Sequence, residues 1–136
     1  MERREEDTSA ATGATVRVRV RVKRVYEEWA PEDGTRVLVD RLWPRGLSKE
    51  DVRLDEWAKS ATPSAELRAW YHERMEERYE EFRARYEAEL TAPEPAQALR
   101  RLRELARSGQ PLTLLTAAKN LGHTHADLLA GLVAAP

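Results

Sequence analysis

A chain of 136 residues has room for one domain with a sizeable core but not for two, and its 23 basic against 24 acidic residues (net charge −1) exclude a global field that would draw it to nucleic acid or an acidic membrane. The absence of cysteine excludes a thiolate nucleophile, a disulfide framework and a cysteine-based zinc or iron–sulfur site. With 35% charged and 41% hydrophobic residues, the composition suits a small, well-solvated protein whose long side chains cover its surface.

No apolar run approaches the roughly 20 residues that a bilayer span requires. The opening MERREEDTSAATGA holds no apolar segment of signal-peptide type. A soluble, cytoplasmic protein with no membrane partner is therefore expected. Residues 1–14 offer nothing to bury and read as a disordered tail, leaving 15–136 as a single domain.

In TVRVRVRVKRVY, Val16, Val18, Val20 and Val22 share one face, and Arg17, Arg19, Arg21 and Lys23 the other. That alternation predicts a strand half-buried on its valines. The basic face reads as a solvated face that protects a sheet edge, ahead of a nucleic-acid stripe. APEDG is turn chemistry centred on Pro31, Asp33 and Gly34. RVLVD follows as a short apolar strand, buried on both faces as central parallel strands are. Residues 41–60 read as irregular, with Leu54 and Trp57 packed on the core.

Thr62-Pro63 has the form of an N-cap followed by a proline at the first helical position. Leu67, Trp70, Tyr71, Met75, Tyr79, Phe82, Tyr86 and Leu90 then recur at helical spacing among glutamates and arginines. They predict a long, charged amphipathic helical region whose aromatic stripe packs in the core. Thr91 to Pro95 interrupts the pattern. A second helix, with Leu99, Leu102 and Leu105 inward, runs to Gly109 as its stop. PLTLLTA is a buried strand, and AAKNLGHTH leads into a last helix, HADLLAGLVAA. The order of elements predicts an α/β fold: a small, mostly parallel sheet flanked by helices, with residues 36–40 and 112–116 parallel in one sheet.

Ligands of open α/β sheets bind beyond the carboxyl ends of the strands. One such end delivers Asp40, Arg41, Trp43 and Arg45, with Ser48 just beyond. The other delivers Lys119, Asn120, His123 and His125. Arg41 and Arg45 can present planar donors to an anion, Lys119 a point charge, Asn120 and Ser48 hydrogen bonds, and the last helix its first N–H groups. His125, with Asp40 to orient it or take a proton, is the natural general acid or base. Trp43 reads as a plug over the core or as a stacking surface. His123 and His125 alternate at a helix start and do not share a face as i,i+4 ligands would. With His72 on a distant helix and no guaranteed third ligand, no metal site is assigned.

The strings KRVY, DGTRVLVDRLWPRGLSK, LDEWAK, TPSAELR, PLTLLTAAKN and HADLLA resemble the YeaO-like branch of the DUF488 family of bacterial proteins, over roughly residues 20 to 134. The resemblance implies a small cytoplasmic α/β protein and no particular reaction. The wider family pattern, a strand ending Asp-Val-Arg with Pro and Ser after it, is answered here by Asp40, Arg41, Pro44 and Ser48. The Cys and Glu of a later strand, and a Cys-His-Arg triplet, correspond to Thr116, Ala118 and Thr124-His125-Ala126. Only the histidine is kept, so no cysteine mechanism carries over. Lys119, Asn120 and His125 fit the branch; His123 does not, and His72 matches a histidine of its helical region.

The leading expectation is an enzyme-like domain binding a phosphorylated or otherwise anionic, nucleotide-like small molecule at this sheet edge. The rival is a non-catalytic module for nucleic acid or a protein partner, and a third reading makes the motif purely structural. Cofactor and oligomeric state stay open.

Overall fold

The structure is a computed structural model that describes residues 18–135. The expectation for residues 1–14, and for Val16 and Arg17 of the alternating stretch, lies outside the described residues.

Four parallel strands form one sheet: β1 (Val20–Arg24), β2 (Thr35–Leu38), β3 (Glu56–Trp57) and β4 (Leu112–Thr116), in the order β1-β4-β2-β3. Leu112 of β4 stands opposite both Val20 and Thr35, and Leu115 opposite both Lys23 and Leu38. The two apolar strands are parallel in one sheet as expected, and they are direct neighbours. β3 was not foreseen, because two residues leave no readable alternation. Its Trp57 pairs with Leu38.

Alternation sorts the strand residues into two cores. Val37, Val39, Leu112 and Leu114 belong to the larger one, with Val20 and Val22 at its edge. That face is covered by α2 (Ala65–Glu73), α3 (Met75–Glu89), α4 (Pro93–Ala106) and α5 (His125–Ala134). The smaller core holds Val25, Leu38 and Leu115 with Val52 of α1 (Lys49–Val52), and Trp43, Leu47, Leu54 and Trp57 pack against it.

Two expectations for the helical region are corrected. The cap of α2 is Ser64, not Thr62: the Ser64 hydroxyl accepts from the Leu67 amide while Glu89 accepts from both the Ser64 amide and its hydroxyl. The Thr62 hydroxyl donates instead to the Lys59 carbonyl at 2.9 Å. The continuous apolar pattern also hides a break at Arg74 (φ −149°, ψ 65°), whose carbonyl receives the first amides of α3. The bend folds Tyr71 onto Phe82, with centroids 4.0 Å apart, and sets Trp70 between the guanidinium groups of Arg78 and Arg85.

The basic face of β1 is not simply solvated. Arg21 and Lys23 both reach Asp33, at 3.1 and 3.0 Å, and Arg36 reaches it at 2.5 Å. Asp33 and Arg36 are buried. The remaining donors of Arg36 go to the carbonyls of Val52 and Arg53. The segment that reads as a plain turn thus carries the hub of a buried ion cluster. Gly34 beside it is required, since a Cβ there would lie 2.2 Å from the Pro111 carbonyl oxygen and φ is +65°.

Candidate functional site

The chain leaves β2 toward the smaller core and leaves β4 toward α5 on the opposite face. Adjacent strands whose exits diverge in this way open a crevice at their carboxyl ends, the usual ligand position of an open α/β sheet. Here the crevice is a pocket of about 550 Å³.

Asp40, Arg41, Trp43, Arg45, Lys119, Asn120 and His125 all line it, so Arg41 and His125 share one end of the sheet. Ser48 does not line it. Its hydroxyl caps α1 by accepting from the Asp51 amide, and Asp51 accepts from the Ser48 amide in return. The expectation that Ser48 reaches a ligand is corrected: a Ser-x-x-Asp box at a helix start binds its own backbone.

Asp40 is the most constrained of these side chains. Its carboxylate accepts from the Thr116 hydroxyl at 2.8 Å and from the Ala117 amide at 2.7 Å, and lies 3.4 Å from His125 Nε2. Burial alone would raise its pKa. The bonds from His125, the Ala117 amide and Thr116 outweigh burial and hold it below the ordinary carboxylate value. His125 Nε2 also lies 2.6 Å from the Val39 carbonyl oxygen. A carbonyl only accepts, so Nε2 carries a proton and is the donor in this contact.

Trp43 is the plug that the sequence allowed. Its indole N–H donates to the Leu47 carbonyl at 2.7 Å and its ring meets Trp57 edge-on, with centroids 5.5 Å apart. One margin of the ring still borders the pocket. Arg41 donates to the Pro63 carbonyl at 3.2 Å, and the Arg45 carbonyl accepts from the Tyr26 hydroxyl at 3.0 Å. Both arginines, Lys119 and Asn120 are exposed.

His72 is not distant, as the sequence suggested. α2 lies across the end of the sheet and brings Arg68 and His72, one turn apart, into the same pocket. The Tyr71 hydroxyl pins this arrangement by donating to the His123 carbonyl at 2.7 Å. Sequence reasoning missed Arg68, Tyr26 and Tyr71. The available signal was the i,i+4 pair Arg68/His72 immediately beside the buried pair Leu67/Tyr71. The ring of His123 packs instead on Tyr79, at 4.4 Å, while that of His125 turns to Val39 and Asp40. No group of three His, Asp or Glu able to hold a metal occurs among the described residues.

Two features define what the pocket can do. Its lining carries four full cationic side chains, Arg41, Arg45, Arg68 and Lys119, against the single carboxylate of Asp40. Further, each lining hydroxyl already donates: Thr62 to Lys59, Thr116 to Asp40, Thr124 to Asp127, Tyr26 to Arg45 and Tyr71 to His123. At the start of α5 the Asp127 amide is capped by the Thr124 hydroxyl, and the Asp127 carboxylate accepts from the Gly122 and Thr124 amides just before it.

A profile described as the inactive DUF488-N3 subclade matches residues 19–136. The chain belongs to this DUF488 subclade. It is 50% identical over 111 residues to the uncharacterized protein YeaO of Escherichia coli, covering 82% of this chain and 93% of that protein. It is 47% identical over 115 residues to the uncharacterized protein Rv3073c of Mycobacterium tuberculosis, covering 85% and 93%. No solved structure matches. At the positions where the resemblance places the wider family's cysteines and glutamate, this DUF488 chain has Thr116 bonded to Asp40, Thr124 capping α5, and Ala118, which has no polar side chain. No helix among the described residues is long and apolar enough to cross a membrane.

Proposed function

We propose that the pocket binds a small, phosphate-bearing anion of nucleotide-like size. The observation that carries this reading is the charge balance: four cationic side chains converge where the only carboxylate has its oxygens filled by Thr116, Ala117 and His125. A cavity of about 550 Å³ is of the size that encloses a small ligand. Arg41, Arg45 and Lys119 bind the anion, Asn120 and the margin of Trp43 border it, and Asp40 holds His125 in place.

Binding without nucleophilic turnover is the form this reading takes. No thiol exists, and the hydroxyls of the pocket serve to hold the fold, Thr116 donating to Asp40 and Thr124 to Asp127. His125 can move a proton through Nδ1, with Asp40 as its orienting partner. A cysteine-free binder of a soluble anion fits the cytosol. The nucleic-acid alternative is weakened by Arg21 and Lys23, which are tied to Asp33 and do not form a free basic stripe.

The test is a thermal-shift and calorimetric screen of inorganic phosphate, sugar phosphates and nucleotides, run beside Arg41→Ala. A ligand at about 100 times its dissociation constant adds roughly 2.7 kcal/mol, enough to raise the melting point by several degrees. A shift by phosphate-bearing compounds that is lost in Arg41→Ala supports the reading; no shift with any anion overturns it.

A further inference from the structure

The second wall of the pocket holds Arg68, one of the four cations already counted, beside His72, to which the anion-binding reading gives no role. Arg68 and His72 stand one turn apart on α2, facing the Asp40–His125 wall. Among the described residues neither side chain makes a hydrogen bond or an ion pair, whereas Arg41 is bonded to Pro63, Arg24 to Ala118 and Arg78 to Trp70. Their helix is also fixed in place. The Tyr71 hydroxyl ties it to His123, just before α5, and the Tyr71 ring stacks on Phe82.

We propose that Arg68 and His72 form a terminal-phosphate clamp that selects phosphomonoester dianions over phosphodiester and carboxylate monoanions. This rests on the pocket being an anion site. Arg68 offers a planar fork that fits two phosphate oxygens, and His72 a ring nitrogen beside it.

The choice between dianion and monoanion lies in the protonation of His72. The charged and titratable groups lining the pocket around it are Arg68 and Tyr71 from its own helix, Tyr26 from the segment after β1, Asp40, Arg41 and Arg45 from the exit of β2, Lys119 from the exit of β4, and His125 from α5. Although His72 is exposed at the rim, contact with the pocket wall, and then the charges of Arg68 and His125, hold its pKa below the ordinary histidine value. It is therefore neutral near neutral pH. A bound dianion reverses the local field, and His72 takes one proton from solvent to become a charged donor. A monoanion supplies half that field, and most of it is answered by Arg68.

Calorimetry with adenosine monophosphate and its cyclic diester compares ligands that share a base and differ in phosphate charge. Ribose-5-phosphate and inorganic phosphate separate a nucleotide from bare phosphate as the source of the dianion, and benzoate supplies a carboxylate. The wild type is expected to prefer the monoester by about tenfold, the worth of one charge-assisted hydrogen bond. Its binding heat should depend on buffer ionisation, reporting proton uptake. His72→Gln, which keeps a donor but cannot take the proton, should lose both the preference and the uptake while melting with the wild type. Arg68→Ala should weaken all phosphates. Equal affinity for monoester and diester, or a preference that survives His72→Gln, overturns the clamp and leaves the anion site standing. Failure of every anion to bind overturns both.

Discussion

Thr116, the last residue of β4, donates its hydroxyl to Asp40, two residues beyond the end of β2, at 2.8 Å. One carboxylate therefore joins the two diverging strand exits, and the Ala117 amide and His125 complete its coordination. The carboxylate thus braces the end of the sheet at which the pocket opens.

Asp40→Asn should accordingly destabilise the protein by about 1–3 kcal/mol near neutral pH, because an amide cannot accept all of these bonds at once. The folded pKa of Asp40 is depressed below the reference value of 3.8. Its contribution to stability is thus complete above that value and is lost as pH falls through the lower folded pKa. Urea unfolding near neutral pH and below 3.8 should show a gap between wild type and variant that closes in acid. Equal midpoints near neutral pH would contradict the bridging role.

The buried cluster at the other end of the strands should respond more severely. Asp33→Asn leaves the Arg36 guanidinium buried without its counter-charge, and Lys23 and Arg21 lose the same partner. Removing one member of a buried pair costs about 3–5 kcal/mol, and the expected outcome in urea unfolding is a loss of that size. Phosphate binding by whatever folded variant remains should be unchanged, since none of the four side chains lines the pocket.

Local patterns in the sequence announced most of the fold. β4 was legible because its five residues, three leucines and two threonines without a charge among them, are all buried between two neighbours. Asp40, Arg41 and His125 were legible as neighbours because strand order alone carries both exits to one edge. Three features were not legible. The break at Arg74 falls inside an unbroken apolar period and is set by the packing of Tyr71 on Phe82. Asp33 looks like a turn residue because its partners, Arg21, Lys23 and Arg36, lie on strands that only the tertiary fold assembles. Arg68 and His72 look like solvated positions on a charged helix, and only the way α2 crosses the sheet end puts them in the pocket.

Ser48 separates architecture from binding. Its hydroxyl is the N-cap of α1, so Ser48→Ala should cost about 1 kcal/mol, the usual value of a lost cap. Because Ser48 lies off the pocket, anion affinity measured by calorimetry should not change. A marked fall in affinity would mean that the loop after β2 closes further over the ligand and brings Ser48 to it.

Tyr71 tests whether α2 must be held for the site to work. Its hydroxyl bonds the His123 carbonyl at 2.7 Å, and burial pushes its own pKa up, so it is the neutral donor across the whole working range. Tyr71→Phe keeps the ring on Phe82 and deletes only that bond, at an expected cost of about 1 kcal/mol in unfolding free energy. The larger effect should fall on phosphate affinity, because the bond fixes the distance between the Arg68/His72 wall and the loop that leads to His125. Ser48→Ala, a loss of similar size in stability, serves as the control. If the two variants bind phosphate equally well, α2 is held by core packing alone and the Tyr71–His123 bond sets only stability.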